Sequence, residues 1–283
     1  MQLLKAKPVQ ETFFAEMRKT VSTFQKQYTR TPKLVVILVG DDPASQVYTS
    51  KKSSAAQSVG IEPITIKFND SVSPDEVLNT VNQLNNDPSV DGILIQRPLP
   101  KSFNEESVAY WVDPKKDVDA FHPTNVGRLH LGLNCLKPCT PLGVIQLLNY
   151  YKLSIEGKNA CIIGRSSIVG KPMAALLLQN NATVIHCHSK TKNLTDLTKA
   201  SDILVVAAGK PHLINESHIK KDAIVIDVGI HRTSSGKLTG DVDFDSTSKL
   251  ASAITPVPGG VGPMTITMLL HNTIDAAQNR VKT

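Results

Sequence analysis

The sequence of 283 residues has no long apolar segment. Its longest aliphatic run, residues 34–39, ends at Gly40, well short of the roughly 20 residues that a membrane-spanning helix requires. The first 20 residues have only Leu3 and Leu4 before lysines interrupt, so they lack the apolar core of a signal peptide. We therefore expect a soluble protein that is neither exported nor membrane-bound.

Cysteine is scarce as well, and no two cysteines form a CxxC pair. Such pairs are the usual mark of a zinc or redox site, and disulfides belong to oxidising compartments. The cysteines lie in or beside apolar segments, which is typical of free thiols in a reducing compartment and predicts a cytoplasmic protein. They are Cys135, Cys139, Cys161 and Cys187.

Dense blocks of positive charge are also missing. There are 31 Lys and Arg residues against 25 Asp and Glu residues, a net charge of +6, but the basic residues are spread in ones and twos. A nucleic-acid interface usually concentrates them on one face. We therefore predict no nucleic-acid partner, and an anionic small molecule accounts equally well for the excess charge.

A metal site is not favoured. His186 and His188 are two residues apart on a predicted strand and so face the same side, the simplest arrangement that could bind a metal. No third ligand such as Asp, Glu or Cys sits at a convincing spacing. We expect both histidines to have packing and solvent roles, and we predict no metal.

Short apolar runs rich in Val and Ile recur between helical patterns. Most are continuous rather than alternating, which suits strands buried on both faces of a parallel sheet. Helical stretches at 43–58, 74–85 and 171–180 complete a repeating strand–helix–strand unit and predict an α/β fold. The predicted strands are 34–39, 64–68, 92–95, 160–163, 183–185, 203–207 and 223–226.

A chain of this length is near the size at which one core divides into two. The boundary is predicted at residues 138–141, where Thr140 can cap a new helix and Pro141 fits its first turn. Residues 255–263 are too rich in Gly and Pro for a regular element, and a final helix is predicted from about Met264 to Gln278. We expect domains at 1–139 and 140–263, with segment 264–283 packing back on the first.

Residues 160–172 read as a strand, a tight glycine turn at Gly164 and a helix start. This arrangement lets backbone amides approach a phosphate at the positive end of a helix. The G-x-G-x-x-G fingerprint is absent, because Arg165 and Ser166 follow Gly164, so a plain strand-to-helix turn stays open. The next strand ends in residues 188–190, His-Ser-Lys, where an NAD enzyme would have an acidic residue, which favours NADP.

Tyr48 and Lys52 are four residues apart and share a helix face with Ala55 and Val59. Burying a lysine is costly unless a partner or ligand receives its charge, so Lys52 is either catalytic or part of a salt bridge with Asp or Glu. A Tyr–Lys pair is also found in short-chain dehydrogenases. There it follows the glycine loop, whereas here it precedes Gly164 by more than a hundred residues.

Gln96 directly follows the strand at 92–95, and Asp119 lies in an irregular stretch. Open α/β sheets bind ligands at the carboxyl ends of their strands, so both are candidate site residues. Each is by itself equally compatible with a turn or capping role.

Together these segments resemble one family, the bifunctional methylenetetrahydrofolate dehydrogenase/methenyltetrahydrofolate cyclohydrolases. The similar segments occur in the family's order between residues 34 and 265. They are 39–48 (VGDDPASQVY), 96–100 (QRPLP), 116–119 (KDVD), 138–141 (PCTP), 164–166 (GRS) and 256–265. One departure is Ala120, where the family commonly has Gly, and a methyl group there can shift the local backbone.

The resemblance implies a folate-binding set. Tyr48 would stack on the folate, Lys52 would serve proton chemistry, and Gln96 would support Lys52 and orient the substrate. Asp119 would hold the amino and ring nitrogens of the pterin. Pro258 and Gly262 would border the folate and the nicotinamide.

The resemblance also implies NADP as cofactor. Arg165 and Ser189 would bind its additional phosphate beside the turn of Gly164 and Ser166. The other implied cofactor contacts are Thr140, Ile230 and Thr265.

The implied fold has an N-terminal α/β catalytic domain and a Rossmann-like NADP-binding domain, with the active-site cleft between them, and the implied assembly is a homodimer. The implied reactions are oxidation of 5,10-methylenetetrahydrofolate to 5,10-methenyltetrahydrofolate with NADP and hydrolysis of that product to 10-formyltetrahydrofolate. Two other classes stay open: a short-chain NADP-dependent alcohol dehydrogenase, and a non-enzymatic folate- or nucleotide-binding protein.

Overall fold

The computed structural model describes residues 1–233 and 235–281. The chain divides into two compact units, one formed by residues 1–11 and 140–265, the other by residues 12–139 and the chain from Ile266. We name them, after their main sheets, the six-stranded unit and the three-stranded unit. Both combine parallel strands with helices, so the predicted two-domain α/β class is confirmed.

The three-stranded unit contains a parallel sheet of order β3-β2-β4. Residues 34–39 of β2 are buried throughout, because the central strand has neighbours on both edges and helices on its faces. Asp42 and Ser73 cap the two crossover helices, each of which has proline in its first turn. The elements are β2 (Lys33–Val39), α2 (Pro43–Ser58), β3 (Glu62–Phe68), α3 (Pro74–Asn86), β4 (Gly92–Ile95), α4 (Glu105–Val108) and α5 (Pro123–His130).

Two long helices, α1 (Ala6–Tyr28) and α10 (Val261–Arg280), run from one unit into the other. Their last turns are held in the three-stranded unit by the fully buried Asp91. Arg30, just after α1, donates two hydrogen bonds of 2.8 and 2.9 Å to Asp91, and Arg280 donates a third of 3.2 Å. This buried ion cluster therefore fixes two helix ends to the chain segment that leads into β4.

The six-stranded unit contains a parallel sheet of order β1-β11-β8-β7-β5-β6. The strand order changes direction at β5, which has β6 on one side and β7 on the other, so the carboxyl ends of β5 and β7 form a topological switch point. Its strands are β1 (Gln2–Leu3), β5 (Asn159–Ile163), β6 (Thr183–Cys187), β7 (Ile203–Val206), β8 (Ile224–Asp227) and β11 (Ala253–Ile254).

Around this sheet lie α6 (Cys139–Tyr150), α7 (Gly170–Gln179), α8 (Leu194–Lys199), α9 (Phe244–Thr247) and a 3₁₀ turn at Glu216–His218. A short antiparallel pair, β9 (His231–Arg232) with β10 (Leu238–Thr239), follows β8. Within the described ranges, no helix combines the length and the apolar character needed to cross a bilayer.

The structure differs from the predicted organisation at three points. Residues 1–11, expected with the first domain, cluster with the six-stranded unit because β1 pairs with β11. Thr140 is the second residue of α6 rather than its cap, since the helix begins at Cys139. Residues 261–263, expected to be irregular, form the first turn of α10, where proline is tolerated because first-turn amides have no helical acceptor.

Segment 264–283, which was predicted to pack on the first domain, has residues in both units. Residues through Thr265 cluster with the six-stranded unit, and the chain from Ile266 clusters with the three-stranded unit. The last two positions of that segment, Lys282 and Thr283, lie outside the described residues.

Candidate active site

A buried lysine lies at the centre of the three-stranded unit's candidate site. Lys52, on α2, is only 5% exposed, and its Nζ donates a hydrogen bond of 2.8 Å to Oε1 of Gln96. Gln96 follows β4 directly, and its Nε2 donates to the carbonyl of Arg97. The direct partner of Lys52 is therefore a neutral amide, so the expected alternative of a direct Asp or Glu salt bridge is wrong.

Tyr48 lies one helical turn before Lys52. The ammonium nitrogen of Lys52 is 5.1 Å from the centre of the Tyr48 ring, within the range of a cation–π contact. The most buried face of α2 is formed by Ser45, Thr49, Lys52 and Ala56. The buried face of α2 is therefore displaced by about one residue from the predicted one. Lys52 lies on the observed buried face, whereas Tyr48 lies beside that face and is half-buried.

Asp119 is held at the site by the chain around it. Asp117 forms a parallel bridge with Ile93 of β4, which brings this stretch to the edge of the sheet. The carbonyl of Val118 accepts a hydrogen bond of 2.8 Å from Asn272 Nδ2 and one of 3.3 Å from the Cys139 thiol. Ala120 has φ of 59°, the left-handed region that glycine occupies at least cost, which gives the departure from the family pattern a structural meaning.

The charges of Lys52 and Asp119 influence each other. Burial lowers the pKa of Lys52, while the charge of Asp119 acts in the opposite direction. Burial raises the pKa of Asp119, and the Lys52 ammonium partly offsets this. Burial therefore disfavours both charged forms, and a neutral amine on Lys52 becomes accessible at lower pH than for an exposed lysine.

Two further residues near this site were not predicted as site residues, Cys139 and Asn272. Cys139 is buried and interacts electrostatically with both Lys52 and Asp119, and burial holds the pKa of its thiol well above the usual range. Asn272, on α10, also donates 2.8 Å to the carbonyl of Lys137. A polar residue on a largely buried helix was the one signal that could have identified Asn272.

In the six-stranded unit, Gly164 forms a tight turn directly after β5. Its φ is 124°, and a Cβ atom there would lie 2.0 Å from the carbonyl oxygen of Ala207. Only glycine fits, because the chain after β5 passes against the chain after β7. The turn therefore lies at the switch point of the sheet, where a nucleotide is expected.

The polar residues of the predicted phosphate site follow β5 and β6, which pair in register up to Ile163 and Cys187. Arg165 and Ser189 are exposed at this edge. The hydroxyl of Ser166 accepts hydrogen bonds of 3.2 and 3.3 Å from the amides of Val169 and Gly170, so it orders the start of α7. A glycine turn, a helix N-terminus and an exposed guanidinium fit a phosphorylated nucleotide.

The remaining predicted contacts are dispersed within the same unit. Thr140 and Thr265 are joined by a hydroxyl–hydroxyl hydrogen bond of 2.8 Å. Ile230 is 62% exposed just after β8. Pro258 and Gly262 are exposed on either side of the start of α10.

The two histidines considered as metal ligands have local partners. His186 Nε2 donates a hydrogen bond of 2.7 Å to the carbonyl of Gly164, which ties β6 to the glycine turn. His188 lies beyond the end of β6, and its Nδ1 accepts from the amide of Lys190. Both histidines therefore make local hydrogen bonds to backbone groups.

Comparison with known proteins agrees with this geometry. The model of the tetrahydrofolate dehydrogenase/cyclohydrolase catalytic domain matches residues 4–119, and that of the family's NAD(P)-binding domain matches residues 138–281. The bifunctional protein FolD of Oceanobacillus iheyensis is 52% identical over 276 residues, covering 98% of this chain and 96% of the relative.

Solved structures give the same result. The FolD methylenetetrahydrofolate dehydrogenase/cyclohydrolase of Campylobacter jejuni is 48% identical with a TM-score of 0.96, covering 99% of both chains. The Trypanosoma brucei enzyme, solved with NADP and an inhibitor, is 36% identical with a TM-score of 0.93, covering 99% of this chain and 98% of that one. The chain therefore belongs to the tetrahydrofolate dehydrogenase/cyclohydrolase family.

Proposed function

We propose that the protein oxidises 5,10-methylenetetrahydrofolate with NADP and hydrolyses the methenyl product to 10-formyltetrahydrofolate. The observation that carries the proposal is the buried Lys52, hydrogen-bonded at 2.8 Å to the neutral Gln96 and flanked by Tyr48. Burial lowers the pKa of this lysine, so its neutral amine is available at a lower pH than that of an exposed lysine, and the hydrolysis requires such a proton acceptor.

In this proposal the three-stranded unit binds folate. Asp119 accepts hydrogen bonds from the amino group and ring nitrogen of the pterin, and those donors satisfy a carboxylate whose burial is otherwise costly. Tyr48 presents an aromatic face for stacking. Pro258 and Gly262 remain predicted folate contacts on the strength of the family resemblance.

The six-stranded unit binds NADP in the same proposal. Gly164 lets the chain turn closely, Ser166 orders the start of α7, and Arg165 with Ser189 receives the phosphate on the ribose. Thr140, Ile230 and Thr265 are the other proposed contacts. NADP, when bound, would supply the hydride acceptor for oxidation of the methylene carbon. Hydride transfer needs no strong acid or base from the protein, only alignment of the two carbons.

Hydrolysis depends on Lys52. The methenyl carbon is cationic and is attacked by water, which must lose a proton. The bond from that carbon to N5 then breaks, N5 takes up the proton of the new hydroxyl group, and the carbon remains on N10 as the formyl group. The neutral amine of Lys52 takes the proton that the attacking water loses, while Gln96 Oε1 accepts a hydrogen bond from Nζ in either protonation state and keeps the amine oriented. A cationic intermediate nearby lowers the pKa of Lys52 further, so the base forms when it is needed.

The two alternative functions are not favoured. A short-chain dehydrogenase carries its Tyr–Lys pair on the nucleotide-binding unit, whereas Tyr48 and Lys52 belong to the three-stranded unit and Gly164 to the other. A non-enzymatic binding protein does not require a lysine whose pKa is lowered by burial and whose amine is oriented by an amide.

The proposal is tested with purified protein, methylenetetrahydrofolate and either NADP or NAD. We expect NADPH to form, methenyltetrahydrofolate to decay faster than in buffer, and NADP to be preferred. A protein that binds folate and NADP but converts neither substrate would support the binding class instead, and oxidation of simple alcohols would support the short-chain class.

We also propose that the protein is a homodimer, on the basis of the family resemblance, and that it is cytoplasmic, on the basis of its cysteines. Free thiols at Cys135, Cys139, Cys161 and Cys187 are compatible with a reducing compartment. Light scattering coupled to size-exclusion chromatography measures the molar mass of the protein in solution, and the mass of a single chain would contradict the dimer.

A further inference from the structure

Two buried carboxylates lie at the carboxyl edge of the six-stranded sheet, apart from the predicted site residues. Asp227 is the last residue of β8, and Asp241 follows β10 by two residues. They are 4% and 0% exposed. A buried carboxylate is costly unless donors satisfy it, so the identity of its donors indicates what it holds in place.

Asp241 joins the chain segments that leave two neighbouring strands. Its Oδ2 accepts hydrogen bonds of 2.6 and 2.9 Å from the backbone amides of Ala208 and Gly209, which follow β7. Its Oδ1 accepts one of 2.7 Å from His231 Nε2, which follows β8. One side chain therefore fixes both segments with three hydrogen bonds.

Asp227 in turn holds Asp241. Its Oδ1 accepts hydrogen bonds of 3.0 Å from the amides of Asp241 and Gly229, and its Oδ2 accepts one of 2.9 Å from the amide of Val242. The Asp241 carboxylate packs directly on Gly229, where a Cβ atom would lie only 2.4 Å from Cγ. The position of Asp241 is therefore fixed by hydrogen bonds to Asp227, the last residue of β8.

Both segments adjoin the expected nucleotide site. Ala207 donates its amide to the carbonyl of Ile163 at 2.8 Å, and its own carbonyl packs against Gly164, so the segment 207–209 lies beside the glycine turn. Ile230, a predicted cofactor contact, is the residue before His231. Beyond the paired residues of β7 and β8, the three hydrogen bonds to Asp241 connect the two segments to each other, in addition to the Ala207 amide contact and the pairing of His231 with Thr239.

We propose that Asp241 is a positioning residue for the cofactor, which holds the segments 207–209 and 229–231 in the conformation that receives the nucleotide. This inference rests on the proposed function, since it assumes that NADP binds at the switch point. Asp241 does not itself contact NADP in this account; it acts through the backbone of Ala208 and Gly209 and through His231.

The test measures NADP affinity by calorimetry and, separately, the hydrolysis of methenyltetrahydrofolate, which needs no NADP. Asp241→Ala should raise the Kd for NADP about tenfold, as expected if the segments are binding-competent about one-tenth of the time. Asp241→Asn keeps an oxygen that can accept from both amides and should stay within about threefold of the wild type. Hydrolysis should be unchanged in both variants, because Lys52 and Gln96 belong to the other unit.

Asp202→Asn is the matched control. Asp202 precedes β7 at the opposite edge of the same sheet and also accepts from a backbone amide, that of Asn159 at 3.0 Å, and from a cationic side chain, Lys220 at 2.7 Å. Its substitution removes one partly exposed carboxylate charge from the same unit and leaves the contacts of segments 207–209 and 229–231 in place, so the Kd for NADP should not change.

An unchanged Kd in Asp241→Ala would overturn the inference, and so would equal loss of NADP binding and hydrolysis, which indicates a general structural role. If Asp241→Ala does not fold, His231→Ala is measured in its place, because it removes one hydrogen-bond donor to Asp241 from a partly exposed position. A rise in Kd of about threefold or more with unchanged hydrolysis then supports the inference, and no rise overturns it. A wild-type chain that binds no NADP would overturn the proposed function as well.

Discussion

The side chains of Lys52 and Gln96, 44 positions apart in the sequence, meet in a buried hydrogen bond of 2.8 Å. A carboxylate in place of the amide would hold the lysine protonated, whereas the amide oxygen carries no charge and can accept a hydrogen bond from either an ammonium or an amine. Because the pKa of Lys52 is lowered by burial, this relationship gives the site a base that stays oriented after it loses its proton.

The cofactor preference should depend on Arg165. Arg165→Ala should weaken NADP about ten- to hundredfold relative to NAD, because only NADP loses a charge-assisted phosphate contact. Lys158→Ala is the control, since Lys158 is also exposed and cationic but precedes β5 at the opposite end of the strand. Both KM values are measured for each variant, and equal losses for NADP and NAD would refute the role of Arg165.

Asp119→Ala should impair both activities through folate binding and leave NADP binding intact. The carboxylate meets donors that only the pterin supplies, and a site built for a hydrogen bond discriminates strongly when the bond is lost. Calorimetric titration with tetrahydrofolate and with NADP separates the two ligands. Unchanged folate affinity in Asp119→Ala would show that Asp119 does not bind the pterin and is only a turn residue.

Removing the carboxylate of the buried ion cluster should strongly destabilise the three-stranded unit. Asp91→Ala leaves Arg30 and Arg280 without their carboxylate and should cost about 3–5 kcal/mol of unfolding free energy. Trp111, the one tryptophan of the sequence, lies in this unit, so its fluorescence in urea reports on this unit. Glu62→Ala is the control: it removes a half-exposed ion pair with Lys33 and should cost less than about 1 kcal/mol. Comparable losses of unfolding free energy in Asp91→Ala and Glu62→Ala would contradict the role given to Asp91.

Asp117 should make this unit less stable as pH rises. Burial raises its pKa to about 7, although His122 and Asn125 donate hydrogen bonds to it. A carboxyl group whose pKa is raised on folding stabilises the folded state at pH values below its unfolded pKa, and that contribution is lost as pH rises to about 7. Asp117→Asn should therefore flatten the dependence of unfolding free energy on pH between about pH 4 and pH 7. An unchanged slope, measured through Trp111 fluorescence, would exclude Asp117 as its source.

Much of the fold could be predicted because its strands are continuous apolar runs of β-branched residues. β2, β4 and β5 were predicted to within one residue for this reason. The pairing of β1 with β11 could not be predicted, since each strand has two residues and their sequence separation is about the whole chain. The first turn of α10 was missed because glycine and proline there suggested a loop, although proline at a helix start is compatible with the backbone.

The candidate site was predicted where a residue is out of place for its local structure. A lysine on the face of a buried helix and an amide directly after a strand are such cases, and the structure joins Lys52 to Gln96. Asp241 gave no signal of this kind, because an aspartate after a glycine in a loop is ordinary. Only the three-dimensional positions of Ala208, Gly209 and His231 reveal what its carboxylate holds.

The central claim is that Lys52 is the base of the hydrolysis and is dispensable for hydride transfer. Lys52→Met keeps a side chain of similar length, so alignment for hydride transfer should largely persist, while loss of a general base should slow hydrolysis about 10²–10⁴-fold. Lys51→Met, an exposed neighbour on the same helix, is the control and should leave both activities unchanged.

The most direct measurement follows NADPH formation and the decay of methenyltetrahydrofolate independently in Lys52→Met, Lys51→Met and the wild type. We predict that Lys52→Met accumulates methenyltetrahydrofolate while NADPH still forms at a measurable rate. Decay of methenyltetrahydrofolate at the wild-type rate in Lys52→Met would contradict the account and exclude Lys52 as the base.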